Sequence, residues 1–155
     1  MDVDGVLTDG GFFWNAEGLE LKRFCFADVT GIARAHAAGL HIALISGESS
    51  ADGMALVRRY ASKVKIQNVY PGCHDKEAAL REFAAACGLE AHEICFIGDD
   101  TIDCAAMACA GLAVAPADAH PAALAQAQYI TKAGGGQGAV REVLDLIVEH
   151  QSEGA

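Results

Sequence analysis

Three short apolar runs constrain this chain more than any other feature. His41-Ile42-Ala43-Leu44-Ile45, Ile94-Cys95-Phe96-Ile97 and Leu112-Ala113-Val114-Ala115 stop at Ser46-Gly47, Gly98-Asp99 and Pro116 respectively. Within them polar and apolar residues do not alternate, so both faces need covering, as in a strand inside a parallel sheet flanked by helices. The intervening segments supply the helices. One is expected from Asp28, as its cap, through His36 to a stop at Gly39, and another from about Asp75 to Cys87, stopped by Gly88. Two more are expected around Ile102–Ala110 and Ala139–His150. This alternation predicts an α/β fold: a doubly wound parallel sheet with right-handed crossovers.

With 155 residues, 52% hydrophobic and 21% charged, the chain has enough apolar material for one core, and residues 1–155 read as a single domain. One stretch interrupts the alternation. Residues of about 11–26 carry Phe12, Phe13, Trp14, Leu19, Leu21 and Phe24 around Asn15-Ala16-Glu17-Gly18, and predict a β-hairpin turning at Asn15–Gly18. A two-stranded ribbon is marginal alone, so this one is expected to pack against another subunit, the alternative being that it folds back on its own domain. A net charge of −10 argues against a nucleic-acid partner. No apolar run approaches the ~20 residues of a membrane span and no secretory leader is evident, so a soluble, cytoplasmic protein is expected. The six cysteines form no C-x-x-C pair and read as free thiols.

In open α/β sheets ligands lie beyond the carboxyl ends of the strands. The polar residues there are Asp2 and Asp4, Ser46-Gly47-Glu48, His74-Asp75-Lys76, and Gly98-Asp99-Asp100 with Asp103. Crowded carboxylates repel one another unless a hard cation sits among them, and an oxygen-only donor set without His or Cys suits Mg²⁺. With a metal shielding the charge of a phosphoryl group, Asp2 is placed to attack phosphorus and Asp4 to protonate the leaving alkoxide and then activate water. Ser46 and Lys76 supply a donor and a positive charge for the phosphoryl oxygens.

These elements resemble the haloacid dehalogenase superfamily of phosphatases. Asp2-Val3-Asp4-Gly5-Val6 is similar to its nucleophile motif, Ile45-Ser46-Gly47 to its serine/threonine motif, Lys76 to its lysine, and Gly98-Asp99-Asp100-Thr101-Ile102-Asp103 to its acidic motif. The resemblance implies metal ligation by the Asp2 carboxylate, the Asp4 backbone carbonyl and Asp99, phosphate binding by Ser46, Gly47 and Lys76, and a supporting role for Asp100 and Asp103. It extends over essentially the whole chain. Asp4–Gly10, the hairpin with Glu20 and Lys22, Ala115–Pro121 and Gly135–Glu142 resemble the capless phosphatases of 3-deoxy-2-ulosonic acid phosphates, typified by 3-deoxy-D-manno-octulosonate 8-phosphate phosphatase. That family implies a small sugar phosphate as substrate and a homotetramer in which such hairpins assemble.

The pattern departs at one place. Where the octulosonate enzymes usually carry arginine after the Ser/Thr-Gly pair, this chain has Glu48. Either another cation, with Lys63 and Arg59 as candidates, meets the substrate carboxylate, or the substrate is a nine-carbon ulosonate 9-phosphate whose hydroxyls Glu48 binds. A solvated glutamate at a helix N-terminus is the third reading. Arg141 reaches the substrate or is a surface charge, Asp28 caps a helix or contacts substrate, Asp100 ligates metal through water or orients its neighbours, and Gly134–Gly138 is an anion cradle or a hinge. His74 and His120 read as loop histidines. A non-catalytic regulatory or assembly module of the same fold is the alternative to an enzyme. The nucleophile of such a sheet follows its central strand, yet only Met1 precedes Asp2; Met1 is therefore expected to lie within a strand that begins several apolar residues earlier.

Overall fold

The computed structural model describes residues 1–153. A hairpin of β1 (Phe13–Trp14) and β2 (Glu20–Leu21) comes first, followed by α1 (Phe26–Ala37), β3 (Ala43–Ile45), α2 (Ala51–Val64), β4 (Asn68–Tyr70) and α3 (Lys76–Cys87). The second half runs β5 (Cys95–Ile97), α4 (Cys104–Cys109), β6 (Leu112–Ala115), α5 (Pro121–Gln126), β7 (Tyr129–Ile130) and α6 (Ala139–Glu153). β3 pairs in parallel with β4, and β6 pairs in parallel with both β5 and β7. Met1 and Asp2 join the two groups as a strand would. The Met1 nitrogen donates to Ala43 O (3.0 Å), Ile45 N donates to Met1 O (2.9 Å), and Asp2 N donates to Ile97 O (2.9 Å).

Side-chain alternation along these short strands explains the two cores. Leu44, Ile97 and Val114 point to one face, where they pack with Ile32 of α1, Val57 and Tyr60 of α2, and Val140 and Val143 of α6. Their neighbours Ile45, Phe96, Ala113 and Ala115 point to the other, against Leu80 of α3, Met107 of α4 and Ala123 of α5. Strands β3, β5 and β6 are covered on both faces, which is why their sequence runs are apolar throughout rather than alternating. The fold is thus the expected doubly wound α/β sheet, and no inserted cap interrupts the described residues.

Local signals place most helix ends. Asp75 caps α3 by accepting from Ala78 N (3.0 Å), and Gly88 ends it in the left-handed region. The expected α1 differs at its start. It begins at Phe26 with Cys25 as N-cap, and Asp28 sits inside it, completely buried. The Asp28 carboxylate instead accepts the Arg141 N–H (2.8 Å) and so caps α6 across the helix interface. Its long-range partner satisfies an orphan donor of α6 that nothing local reaches. The helix expected around Ile102–Ala110 is shorter, a 3₁₀ turn at Thr101–Asp103 leading into α4.

The hairpin turns where expected, with Asn15 Oδ1 accepting from Glu17 N (3.1 Å) and Leu19 N (2.8 Å). Phe12, Phe13, Trp14, Leu19 and Leu21 are each more than half exposed, so the ribbon does not fold back over its own core. All six cysteines are free and half-buried. No helix among the described residues is long and apolar enough to cross a membrane. An apolar cavity of about 400 Å³ lies among Met1, Ile42, Leu80, Phe83, Ile94 and Ile147. It sits at the amino ends of β3 and β5, opposite the end that carries the acidic residues.

Candidate active site

Asp2 leaves the sheet between β3 and β5 and is 5% exposed. The turn that follows folds tightly, with the N–H groups of Leu7 and Thr8 donating to Val3 O (2.8 and 3.1 Å). Gly5 lies at φ +82° and passes so close to Asp99 that a Cβ there would overlap its carboxylate. Gly135 and Gly136 press on this turn from behind: Gly136 N donates to Val6 O (3.0 Å), and a Cβ on Gly135 would overlap the Gly5 carbonyl. Asp118 holds the glycine turn by accepting from Gly135 N (2.8 Å). The Gly134–Gly138 segment therefore buttresses the Asp2 turn.

Lys76, at the first position of α3, is the cation of the site. Its ammonium lies 2.9 Å from Asp2 and 2.7 Å from Asp103, and its side chain has no solvent exposure. The second oxygen of Asp103 accepts from Asp99 N (3.0 Å) and Asp100 N (3.1 Å). Both oxygens of Asp103 are thus occupied in holding Lys76 and the Gly98–Asp100 loop, which is a supporting role. Asp100 is exposed and accepts from Thr101 N (2.6 Å), capping the short 3₁₀ turn. Ser46, 1% exposed, follows β3 beside Met1–Asp2 and accepts from Glu48 N (3.1 Å), while Gly47 faces Ile102 with only van der Waals room.

Carboxylate oxygens of Asp2, Asp99 and Asp103 fall within 4.8 Å of one another, and Asp99 Oδ1 is buried with no hydrogen-bond partner. Burial pushes the Asp2 carboxyl up to about 6, with Lys76 pulling it down and Asp103 pushing it further up. Burial, then the charges of Asp2 and Asp103, push Asp99 up to about 8. One buried ammonium does not offset three carboxylates. A hard dication beside Asp2 and Asp99 would, and the unpartnered Asp99 oxygen is the donor such an ion requires. The residues present fit a magnesium-type ion.

Asp4 stands apart from that cluster, in a second charged group that sequence reasoning did not assemble. Lys22, at the end of the hairpin, lies 2.9 Å from Asp4, 3.3 Å from Glu48 and 3.4 Å from Glu20. Two of the cations singled out from the sequence as substrate contacts are engaged elsewhere. Lys63 sits 5.4 Å from the Phe26 ring centroid, Arg59 is exposed, and Arg141 pairs with Asp145 on its own helix. His74 is exposed, and His120 caps α5 by accepting from Ala122 N (3.2 Å). Lys22 carried one signal, a lysine directly after an apolar ribbon, but nothing local indicates that the ribbon folds its end onto Asp4.

Comparison with known proteins identifies the family. Residues 49–144 match the model of the haloacid dehalogenase-like hydrolase family. The chain is 41% identical over 98% of its length to the 3-deoxy-D-manno-octulosonate 8-phosphate phosphatase of Yersinia pestis, spanning 79% of that protein. It superposes with a TM-score of 0.90 on the corresponding phosphatase of Moraxella catarrhalis, crystallised with magnesium, phosphate and KDO, at 38% identity and covering 96% of this chain and 83% of that one. The cobalt-bound phosphatase of Haemophilus influenzae also superposes at a TM-score of 0.90, with 34% identity over 97% of this chain and 86% of that one. With both the fold and nearly the whole length shared at this identity, the chain belongs to the haloacid dehalogenase-like hydrolases, among the 3-deoxy-D-manno-octulosonate 8-phosphate phosphatases.

Proposed function

We propose that this chain is a magnesium-dependent phosphatase of 3-deoxy-2-ulosonic acid phosphates, with 3-deoxy-D-manno-octulosonate 8-phosphate as its substrate, acting through an aspartyl-phosphate on Asp2. The observation that carries the reading is the buried Lys76–Asp2 pair beside the unpartnered oxygen of Asp99. Asp2, Asp99 and the Asp4 carbonyl would hold Mg²⁺, which when bound supplies the positive charge that lets a carboxylate approach a phosphate dianion. The Asp2 carboxylate attacks phosphorus, the ester P–O bond breaks, and Asp4 gives its proton to the departing alkoxide. Asp4, now a carboxylate, takes a proton from water, whose oxygen attacks phosphorus and releases inorganic phosphate and free Asp2. Lys76 keeps Asp2 aimed while Ser46, Gly47 and Lys76 receive the phosphoryl oxygens. Asp100 and Asp103 hold the loop that carries Asp99. A non-catalytic module of this fold is the weaker reading, because every one of these groups is present.

Glu48 supports a second substrate. Its carboxylate sits beside Lys22 and Asp4, where a sugar leaving group would pass, and it is an acceptor for hydroxyls rather than a partner for a carboxylate. That role would suit a nine-carbon ulosonate 9-phosphate as the alternative substrate. Lys63 and Arg141 would serve as substrate cations only after leaving Phe26 and Asp145. Phosphate release from the eight- and nine-carbon ulosonate phosphates, measured side by side with Mg²⁺ and with chelator, decides between them. Activity on one of the two, lost with chelator, is expected. Activity on neither, together with turnover of unrelated phosphomonoesters, sinks the substrate class.

The exposed apolar faces of the hairpin support assembly into a homotetramer through β1 and β2. Sedimentation at micromolar concentration is expected to give a mass of four subunits; a single-subunit mass refutes the assembly.

A further inference from the structure

We infer that Lys22 is a positioning residue for Asp4, so that the end of the hairpin sets the aim of the carboxyl group that protonates the leaving alkoxide. The inference rests on the acid role given to Asp4 above.

The two acids of the Asp2-Val3-Asp4 run are served by different lysines. Lys76 contacts Asp2 and Asp103. Lys22, whose side chain is 5% exposed, contacts Asp4, Glu48 and Glu20. An ammonium has three donors, and three carboxylates surround this one, so its direction is determined rather than free. Asp4 has little else to hold it. Its side chain is 35% exposed, and its other contact is a long one, 3.4 Å from the Thr8 hydroxyl. That hydroxyl also accepts from Gly5 N and Gly10 N (3.3 Å each), which leaves its hydrogen for Asp4. Removing Lys22 leaves one weak tether on a half-exposed carboxylate.

The anchor for Lys22 is rigid on its far side. Glu48 accepts from Ser50 N (2.8 Å), its own N–H donates to Ser46 Oγ (3.1 Å), and its side chain lies where a Cβ on Gly53 would stand. Glu20 is held in turn by the Trp14 indole N–H (3.1 Å). A continuous set of polar contacts therefore runs from the hairpin tryptophan through Glu20 and Lys22 to Asp4, and a second from Ser46 through Glu48 to the same ammonium. Acid catalysis demands placement within a fraction of an ångström, and this frame supplies it.

The distinguishing signature is leaving-group dependence. Asp4 matters for a poor alkoxide leaving group and little for 4-nitrophenolate, which departs without a proton. The kcat/KM value reports the steps through loss of the leaving group and excludes the later attack of water. Lys22→Met is expected to lower kcat/KM for the ulosonate phosphate on the order of 10²-fold, with less than about threefold loss on 4-nitrophenyl phosphate. Lys22→Arg should restore much of the loss, because it keeps a donor to Asp4. Asp4→Asn, assayed in parallel, should show the same selectivity. If Asp4→Asn is unselective, the acid role of Asp4 fails and this inference with it. If Asp4→Asn is selective while Lys22→Met lowers both substrates equally, or neither, Lys22 does not position Asp4. Circular-dichroism melting checks that Lys22→Met is folded; should it not be, Lys22→Gln carries the same comparison.

Discussion

Asp2→Asn is expected to reduce ulosonate phosphate turnover by at least about 10⁴-fold, since removing the nucleophile of a covalent mechanism leaves only binding and electrostatic assistance. The amide has nearly the same shape, and Lys76 keeps its 2.7 Å contact with Asp103, so the fold should persist. Stability is expected to hold or rise slightly, because one of three crowded carboxylates loses its charge while its burial is unchanged. A dead enzyme that melts like wild type would separate chemistry from structure. Phosphate release is the measurement, with a melting curve as control. Wild-type turnover by Asp2→Asn would overturn the aspartyl-phosphate mechanism outright.

Lys76→Met should have the largest structural effect. The lysine is wholly buried between Asp2 and Asp103, and breaking such a set by removing one partner strands the others without compensation. The cost expected is about 3–5 kcal/mol, which for a chain of this size is a fall on the order of 10 °C in Tm. Activity should be lost as well, since Asp2 loses the ammonium 2.9 Å from its carboxylate. Adding Asp103→Asn to Lys76→Met should recover part of the stability but none of the activity, a non-additive pair because the two groups touch. A Tm within about 2 °C of wild type for Lys76→Met would show that the pair contributes little to the fold.

The local signals that read correctly share a physical basis. Asp75 and Gly88 mark the ends of α3 because capping and left-handed termination are settled within a few residues. The runs ending in Ile45, Ile97 and Ala115 announce doubly covered strands because burial on both faces permits no alternation. Helix α2 was equally open to reading, with Ser50 as cap and Val57, Tyr60, Ala61 and Val64 at helical spacing. Short elements such as β7 and α5, of 2 and 6 residues, carry too few positions for a period to emerge.

Asp28 and Lys22 illustrate what local sequence does not contain. Asp28 looks like a cap of the helix it sits in, yet it caps α6 by accepting from Arg141 N, 113 residues away. Lys22 reaches Asp4 across 18 residues and Glu48 across 26. Arg141 and Lys63 carry the right charge but are taken by Asp145 and Phe26. A cation's value depends on which anion it meets after folding, and no spacing rule encodes that.

The sequence by itself determined the alternation of strands and helices, the acids and lysine that follow the strands, and the family they mark. Hydrophobic period, caps and strand-end chemistry are short-range properties and are written residue by residue. The tertiary structure alone decided that Lys76 serves Asp2 while Lys22 serves Asp4, and that the glycine turn at 134–138 braces the turn after Asp2. Those outcomes depend on through-space distances of a few ångströms between segments far apart in the chain, which only the packed sheet and its two helical layers bring into being.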